Sequence, residues 1–406
     1  MVDLMLHKDT FFILLSLLSL TFALNIEIFL QEQCNAEFAA TCPFKQISCL
    51  QDVPHILRAF ESIEQPSRYA IFSLNIPFNP EGTKYSYFVG LTAMIWKYHI
   101  GFTPLVIFVV EYDDKCSLSP KQSAILKFLK EQVHQVGGLY LVVNYNQSAL
   151  KASQYRSATI AQVSRIITPF LPFDEQDYIL TADADIWPIS TQWFLDHVTS
   201  AQYNQTHLAI LYGNRFQEPV WKQPGEQQRM PMYAICYLGA TVRNWRQIVQ
   251  FVPPQPNEFG QQRDSFFVTR LLSAMANAKE KLPGFDFSYT ALASAQWYFD
   301  QLMAVQYIDS WKGEKYIKSR NTQSDRIDRS AWPGFPYPTH LVNEIKAQQK
   351  FDSHLLRPGD THENWLRLKS LIDIIFSMSH HSESTKTRIM AWVEKYHTEW
   401  TKITNN

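Results

Sequence analysis

The chain has almost no net charge: its 406 residues carry 37 Lys and Arg against 38 Asp and Glu, a formal charge of −1. No basic stripe and no Lys/Arg run breaks that balance, which excludes the electrostatic footprint of a nucleic-acid binder. An anionic ligand would have to be met by a few local cations or by a metal. Internal repeats and low-complexity tracts are missing too, so the chain is neither a solenoid nor a biased polar segment. Cysteine is sparse, with five residues. Cys34, Cys42 and Cys49 fall in one short stretch that reads as disulfides rather than a metal site. An odd total leaves at least one thiol free or shared between chains, and Cys236 in "MYAICYLGA" is expected to be a buried free thiol.

What is abundant is apolar: 46% of the residues are hydrophobic and 14% aromatic, which supports a packed core and argues against disorder. The length suits one large domain or two ordinary ones. "FFILLSLLSLTFAL" (11–24) is continuously apolar apart from Ser and Thr, with Lys8 before it and Glu27 after it. It reads as a signal-peptide core with small residues near Ala23. Extended to Leu30, it reads instead as a signal-anchor with a cytosolic N-terminus. Both readings export the rest of the chain. The sequons at Asn146 and Asn204 agree with a lumenal address.

The apolar patterning divides the chain into a signal-anchor or signal peptide (1–30), a Cys-bearing stem (31–67), an α/β domain (68–376) and an amphipathic helical tail (377–406). Strands are predicted at 68–76, 104–114, 138–146 and 177–185, with helices at 86–100, 120–133 and 155–171 between them. Strands apolar on both faces, alternating with helices, imply a mostly parallel central sheet covered by helices. Further strands are predicted at 206–214 and 232–242. Long loops rich in Pro and aromatics follow at 330–341 and 351–360, and structureless loops of that length are usually functional.

The fourth strand ends in "YILTADADIWPI". Ligands of open α/β sheets gather beyond the carboxyl ends of the strands. Two carboxylates there repel each other unless something positive neutralises them. Alternation along an extended segment would send Asp183 and Asp185 to the same side, where they could share one cation. Carboxylate ligands with open positions suit Mg²⁺ or Mn²⁺ carrying phosphate oxygens of its own. The plainer alternative is a solvated turn.

That segment resembles the DxD segment of GT-A glycosyltransferases, sharply over 178–188 and in element order over 68–376. The resemblance implies a GT-A, Rossmann-like sheet with a nucleotide-binding half first and an acceptor-binding half after it. It also implies a divalent ion, Mn²⁺ or Mg²⁺, held by Asp183 and Asp185 across the donor's diphosphate. "FDSHLLRPGD" is similar to the late GT-A segment that supplies a third ligand, which points to His354 with His340 in reserve, and Arg357 would meet the diphosphate. Similar GT-A helices carry a cation near the diphosphate. Arg156 and Arg165 lie about two and a half turns apart on opposite helix faces, and Arg156, near the helix start, is the choice. "CYLGATVRNW" resembles the strand with a small residue beside the donor sugar, here Gly239. "SAQWYFDQ" resembles the Asp-Gln pair that touches transferred sugar or acceptor, which makes Asp300, with Gln301, the candidate general base in apolar surroundings.

By position, Ser73 and Asn75 would face the nucleotide, and Asp113 or Asp114 a base or ribose; ordinary loop polarity is the alternative. Trp297 and Tyr298 would either stack on sugar faces or pack in the core. Residues 324–333 form either a lid or acceptor loop, or a charged turn in which Asp328 pairs with Arg329.

The expected function is a metal-dependent glycosyltransferase of the Golgi membrane, single-pass type II with a lumenal catalytic domain. Its partners would be a nucleotide-sugar donor and a glycan, glycoprotein or lipid acceptor. The alternative is a secreted, lectin-like carbohydrate-binding protein on the same scaffold. A glycoside hydrolase fits less well, because its two carboxylates must flank the bond about 5–10 Å apart.

Overall fold

A computed structural model of the chain describes residues 66–77, 85–112, 117–146, 155–171, 173–204, 207–213, 215–250, 263–318 and 325–405. The N-terminal apolar run, the stem cysteines, Asp113, Asp114 and Cys116 lie outside the described residues. Strand β1 spans Arg68–Ile76 and β2 spans Thr103–Tyr112. The segment between them was expected as one helix. It divides into a 3-10 turn (Ser86–Phe88), helix α1 (Val89–Ile95) and a π turn (Trp96–Ile100), closed by Gly101 at φ +84°. Helix α2 (Pro120–Gln135) starts where its sequence says it should: Ser119 and Gln122 form a capping box, with Pro120 at the first helical position.

Next come β3 (Leu139–Asn146), α3 (Ser157–Ile167), β4 (Tyr178–Thr181), β5 (Ile186–Pro188), α4 (Thr191–Asn204) and β6 (His207–Ile210). A hairpin of β7 (Phe216–Gln223) and β8 (Glu226–Met232) is next, then β9 (Leu238–Thr241), α5 (Val242–Ile248), α6 (Arg263–Glu280) and α7 (Phe299–Ser310). The chain ends with β10 (Glu314–Ile317), β11 (Arg326–Ile327), α8 (Thr339–Lys346), β12 (Asp352–His354), α9 (His362–Ser377) and α10 (Glu383–Asn405).

The main sheet has seven strands in the order β10-β6-β9-β4-β1-β2-β3. Only β9 runs against the others. Alternation sorts each central strand between two cores. Phe72, Val106 and Phe108 join one with α1, α2, α9 and α10, while Ile71, Leu105 and Ile107 join the other with α3, α6 and α7. This is why β2 reads as an unbroken apolar run: both of its faces are covered.

The tail is part of the first core. Tyr396 of α10 donates its hydroxyl to Tyr87 O at 2.8 Å, and its ring sits where a Cβ on Gly90 would be. Tyr396 and Trp400 are buried, each contributing about 1.5–3 kcal/mol of burial energy. Among the described residues no helix is long and apolar enough to cross a membrane.

A second sheet of three short strands, β11-β12-β5, carries the late chain back to the tip of β4. Asp352, Ser353 and His354 stand antiparallel to Pro188, Trp187 and Ile186. Buried Arg326 clamps β11 to β12: its Nε lies 2.6 Å from Asp352 Oδ1, and its Nη1 donates to the Tyr212 hydroxyl at 2.8 Å.

Candidate active site

Strand β4 stops at Thr181, and Ala182–Asp185 leave the extended conformation in a turn. Hydrogen bonds at its backbone groups fix that turn from three sides. Ala182 N–H donates to Ile71 O (2.7 Å), the Thr92 hydroxyl to Ala184 O (2.6 Å), and Leu355 N–H to Asp185 O (2.9 Å). Because the segment is a turn rather than a strand end, the alternation argument does not apply, and the twin aspartates find different partners.

Asp183 faces the second core's side. Arg165 of α3 binds Asp183 Oδ1 and Ala182 O through Nη1, and reaches Asp300 Oδ2 through Nη2 at 2.7 Å. The Arg165 side chain is 5% exposed, that of Asp300 2% and that of Asp183 31%, so one guanidinium compensates one enclosed carboxylate and one that water still reaches. Burial pushes the Asp300 pKa up, and Arg165 pulls it back. Its other oxygen accepts the Gln301 N–H at 2.8 Å. Asp300, expected as a general base, is therefore enclosed and fully engaged, with half-buried Gln301 beside it.

Asp185 faces the late chain. Its Oδ2 lies 2.5 Å from Arg329 Nη2, 3.4 Å from His354 Nε2 and 3.9 Å from Arg357 Nε. Arg329 thus pairs with Asp185 and not with Asp328. Asp328 caps its own turn through Ser330 and turns its other oxygen to His354 Nδ1 at 3.6 Å. Burial holds the His354 pKa below its ordinary value, against the pull of Asp185, which favours the neutral imidazole a metal needs. Arg357 stacks over the Tyr85 ring, 4.4 Å from its centroid, and also bonds the Tyr85 hydroxyl.

Among the described residues no three His, Cys, Asp or Glu side chains stand together as a ready metal site. Asp185 and His354 do make a pair. Their 3.4 Å separation is close to the roughly 3 Å edge of an octahedral Mg²⁺ or Mn²⁺ shell. Such ions take one or two protein ligands and fill the rest with phosphate oxygens and water, so this pair fits one. Asp183, expected as a further ligand, gives its Oδ1 to Arg165 and keeps a side chain 31% exposed.

The remaining expected residues take varied positions. Asn75 donates to Ser157 Oγ at 3.3 Å, and Ser157 in turn bonds Glu111 at the end of β2; this polar group lies at the carboxyl edge of the sheet. Ser73 is half-buried in β1. Arg156 is exposed at the start of α3, and its backbone N–H donates to Gln296 Oε1. The helix therefore brings Arg165 to the aspartates and leaves Arg156 outside. A Cβ on Gly239 would stand 2.8 Å from Tyr178 Cζ, so that glycine makes room for a buried ring. His340 is exposed on α8, Trp297 is 42% exposed and Tyr298 is half-buried.

The sequence names two site residues without their parts, favouring Arg156 over Arg165 and pairing Arg329 with Asp328. Arg165 has a signal: a lone cation in "IAQVSRII", among residues that are otherwise uncharged and mostly apolar, must be paired when that face is buried. Arg329 has none, because its partner lies 144 positions earlier.

No protein-family model matches the chain, and no curated protein matches it either. Several solved structures are similar. A galactosyltransferase, LgtC, in complex with donor and acceptor sugar analogs is 11% identical over 78% of this chain and 98% of that one, with a TM-score of 0.36. A bifunctional glycosyltransferase, WbbM, is 8% identical over 83% and 52% of the two chains, with a TM-score of 0.37. Mouse xyloside xylosyltransferase 1 is 9% identical over 71% and 96%, with a TM-score of 0.31. Likeness at these levels decides nothing about chemistry, which is a property of the chain's own residues.

Proposed function

We propose that this chain is a glycosyltransferase that moves a sugar from a nucleotide-diphosphate donor to a glycan, protein or lipid acceptor with the help of Mn²⁺ or Mg²⁺. One observation carries the reading. A carboxylate, an imidazole and two guanidiniums from distant parts of the chain (Asp185, His354, Arg329 and Arg357) meet at the carboxyl end of a strand in a mostly parallel sheet. Asp185 and His354 would hold the ion, which when bound would neutralise charge growing on the leaving diphosphate. Arg357 would take a phosphate oxygen. Asn75, Ser157 and Glu111 offer hydrogen bonds at the same edge for the nucleoside. Gln301 adjoins the enclosed Arg165–Asp300 pair, where the sugar would lie. The apolar run at 11–24 and the two sequons support a place in the secretory pathway, on a Golgi membrane or secreted.

One observation favours binding without turnover: Asp300, the expected base, is enclosed against Arg165. Turnover must therefore be measured directly. The purified protein is incubated with a panel of nucleotide sugars, with and without Mn²⁺, and nucleoside diphosphate release is followed. Release that needs metal and vanishes in Asp185→Ala supports transfer. Release that survives both EDTA and that substitution sinks the metal-dependent reading, and tight sugar binding with no release leaves the lectin-like reading.

A further inference from the structure

Arg329 is only partly used by the contacts around it. Its Nη2 holds Asp185 at 2.5 Å, but Nε and Nη1 are buried and have no hydrogen-bond acceptor among the described residues. Those two nitrogens carry most of the N–H donors of a guanidinium. A buried donor with no acceptor is disfavoured, so these nitrogens gain from an anion that enters beside the sheet's carboxyl edge as the side chain shifts. The neighbouring groups do not meet the need. Asp328 is turned to Ser330 and His354, and Asp185 already serves Nη2 while His354 and Arg357 crowd the same oxygen.

We propose that Arg329 is a specificity-determining residue that ties cation binding to anion binding at Asp185. With no ligand, its guanidinium neutralises Asp185 and opposes a divalent ion arriving alone. When a diphosphate arrives, Nε and Nη1 take its oxygens, the hold on Asp185 loosens, and the carboxylate is released to the ion. The site thereby favours the metal–diphosphate pair over either free ion. This rests on the glycosyl-transfer reading for the identity of the anion, and it adds a residue and an order of events to that reading.

The test uses inorganic pyrophosphate and Mn²⁺ as separate probes, titrated calorimetrically into the wild type, Arg329→Gln and Arg329→Lys, pyrophosphate in the presence of EDTA. In Arg329→Gln, pyrophosphate binding should weaken about tenfold or more, the scale of a lost charge-assisted contact. Binding of Mn²⁺ alone should tighten severalfold, because its competitor for Asp185 is gone. A merely structural role would weaken both, so the opposite signs decide. Weakening of both, or no change in either, overturns the proposal. Arg329→Lys keeps the charge but not the planar fork: weaker pyrophosphate with unchanged Mn²⁺ supports the proposal, and wild-type pyrophosphate affinity overturns it. The Lys variant also carries the test if thermal unfolding shows that the Gln variant is not folded. A wild type that binds neither probe overturns this proposal together with the reading it rests on. A wild type that binds both, with a variant that fails to split them, overturns this proposal alone.

Discussion

His354 stands opposite Ile186 across the β5–β12 pairing, and that register sets its imidazole Nε2 3.4 Å from the Asp185 carboxylate. The pairing is antiparallel and three residues long, so a one-residue slip would turn His354 to the other face. His354→Ala should therefore weaken Mn²⁺ binding by about 10–100-fold, the scale seen when groups that support a metal are removed. Folding stability should change little, because the imidazole is only partly buried. A Mn²⁺ titration followed by electron paramagnetic resonance checks this, and unchanged affinity would remove His354 from the ligand pair.

The Arg165–Asp300 pair is enclosed, so removing one partner leaves an uncompensated charge. Asp300→Ala should cost about 3–5 kcal/mol in urea unfolding. The double variant Arg165→Met/Asp300→Leu should cost less than the two single changes added together, since they share one interaction. Additive losses would mean that the two side chains act independently.

Gly239 lies beneath Tyr178, with 2.8 Å between its would-be Cβ and the ring's Cζ. Gly239→Ala should destabilise the protein by about 1–3 kcal/mol through overpacking. Adding Tyr178→Phe, which removes the crowding hydroxyl, should return part of that loss. If Gly239 instead serves a donor sugar, Gly239→Ala would keep its stability and lose nucleotide-sugar affinity.

His99 is buried, with Nε2 donating to Ile189 O at 2.6 Å, and burial lowers its pKa from 6.5 to about 4, with His381 adding to the effect. The unfolded chain takes up this proton near pH 6.5 and the native one only near pH 4, so between those values the unfolded state binds more protons. Stability should be full above pH 6.5 and decline as the pH falls toward 4, by on the order of 3 kcal/mol from this group. His99→Gln, which keeps a donor for Ile189 without titrating, should flatten the pH dependence of the unfolding midpoint. His354, His207 and His397 are shifted the same way and will leave a residual slope.

What the sequence made legible is what local pattern controls. The apolar runs of β1, β2 and β3, the capping box of α2 and the acidic end of β4 are written in neighbouring residues. The β7–β8 hairpin is not legible, because "FQEPVWKQPGEQQRMPM" lacks apolar alternation; its one clue is Pro224-Gly225, and Gly225 adopts φ +84° in the turn. The three-residue strands β5 and β12 are too short to show a period, and their pairing joins positions more than 160 residues apart. Asp183 and Asp185 stand out in the sequence, but their separate partners do not, because a turn replaces the alternation of a strand. For Arg156 and Arg165, spacing established that one faces in and the other out. Which one faces in was set by the packing of α3 on the sheet.

The two aspartates also differ in when their counter-charges are made. Arg165 leaves the ribosome before Asp183, so that acid meets a partner already in existence. Arg329, His354 and Arg357 all come after Asp185, the nearest of them by 144 positions, on the order of ten seconds of translation. During that interval none of the three side chains that flank this carboxylate in the folded protein has been made. The order of synthesis therefore leaves this corner of the molecule among the last to be completed.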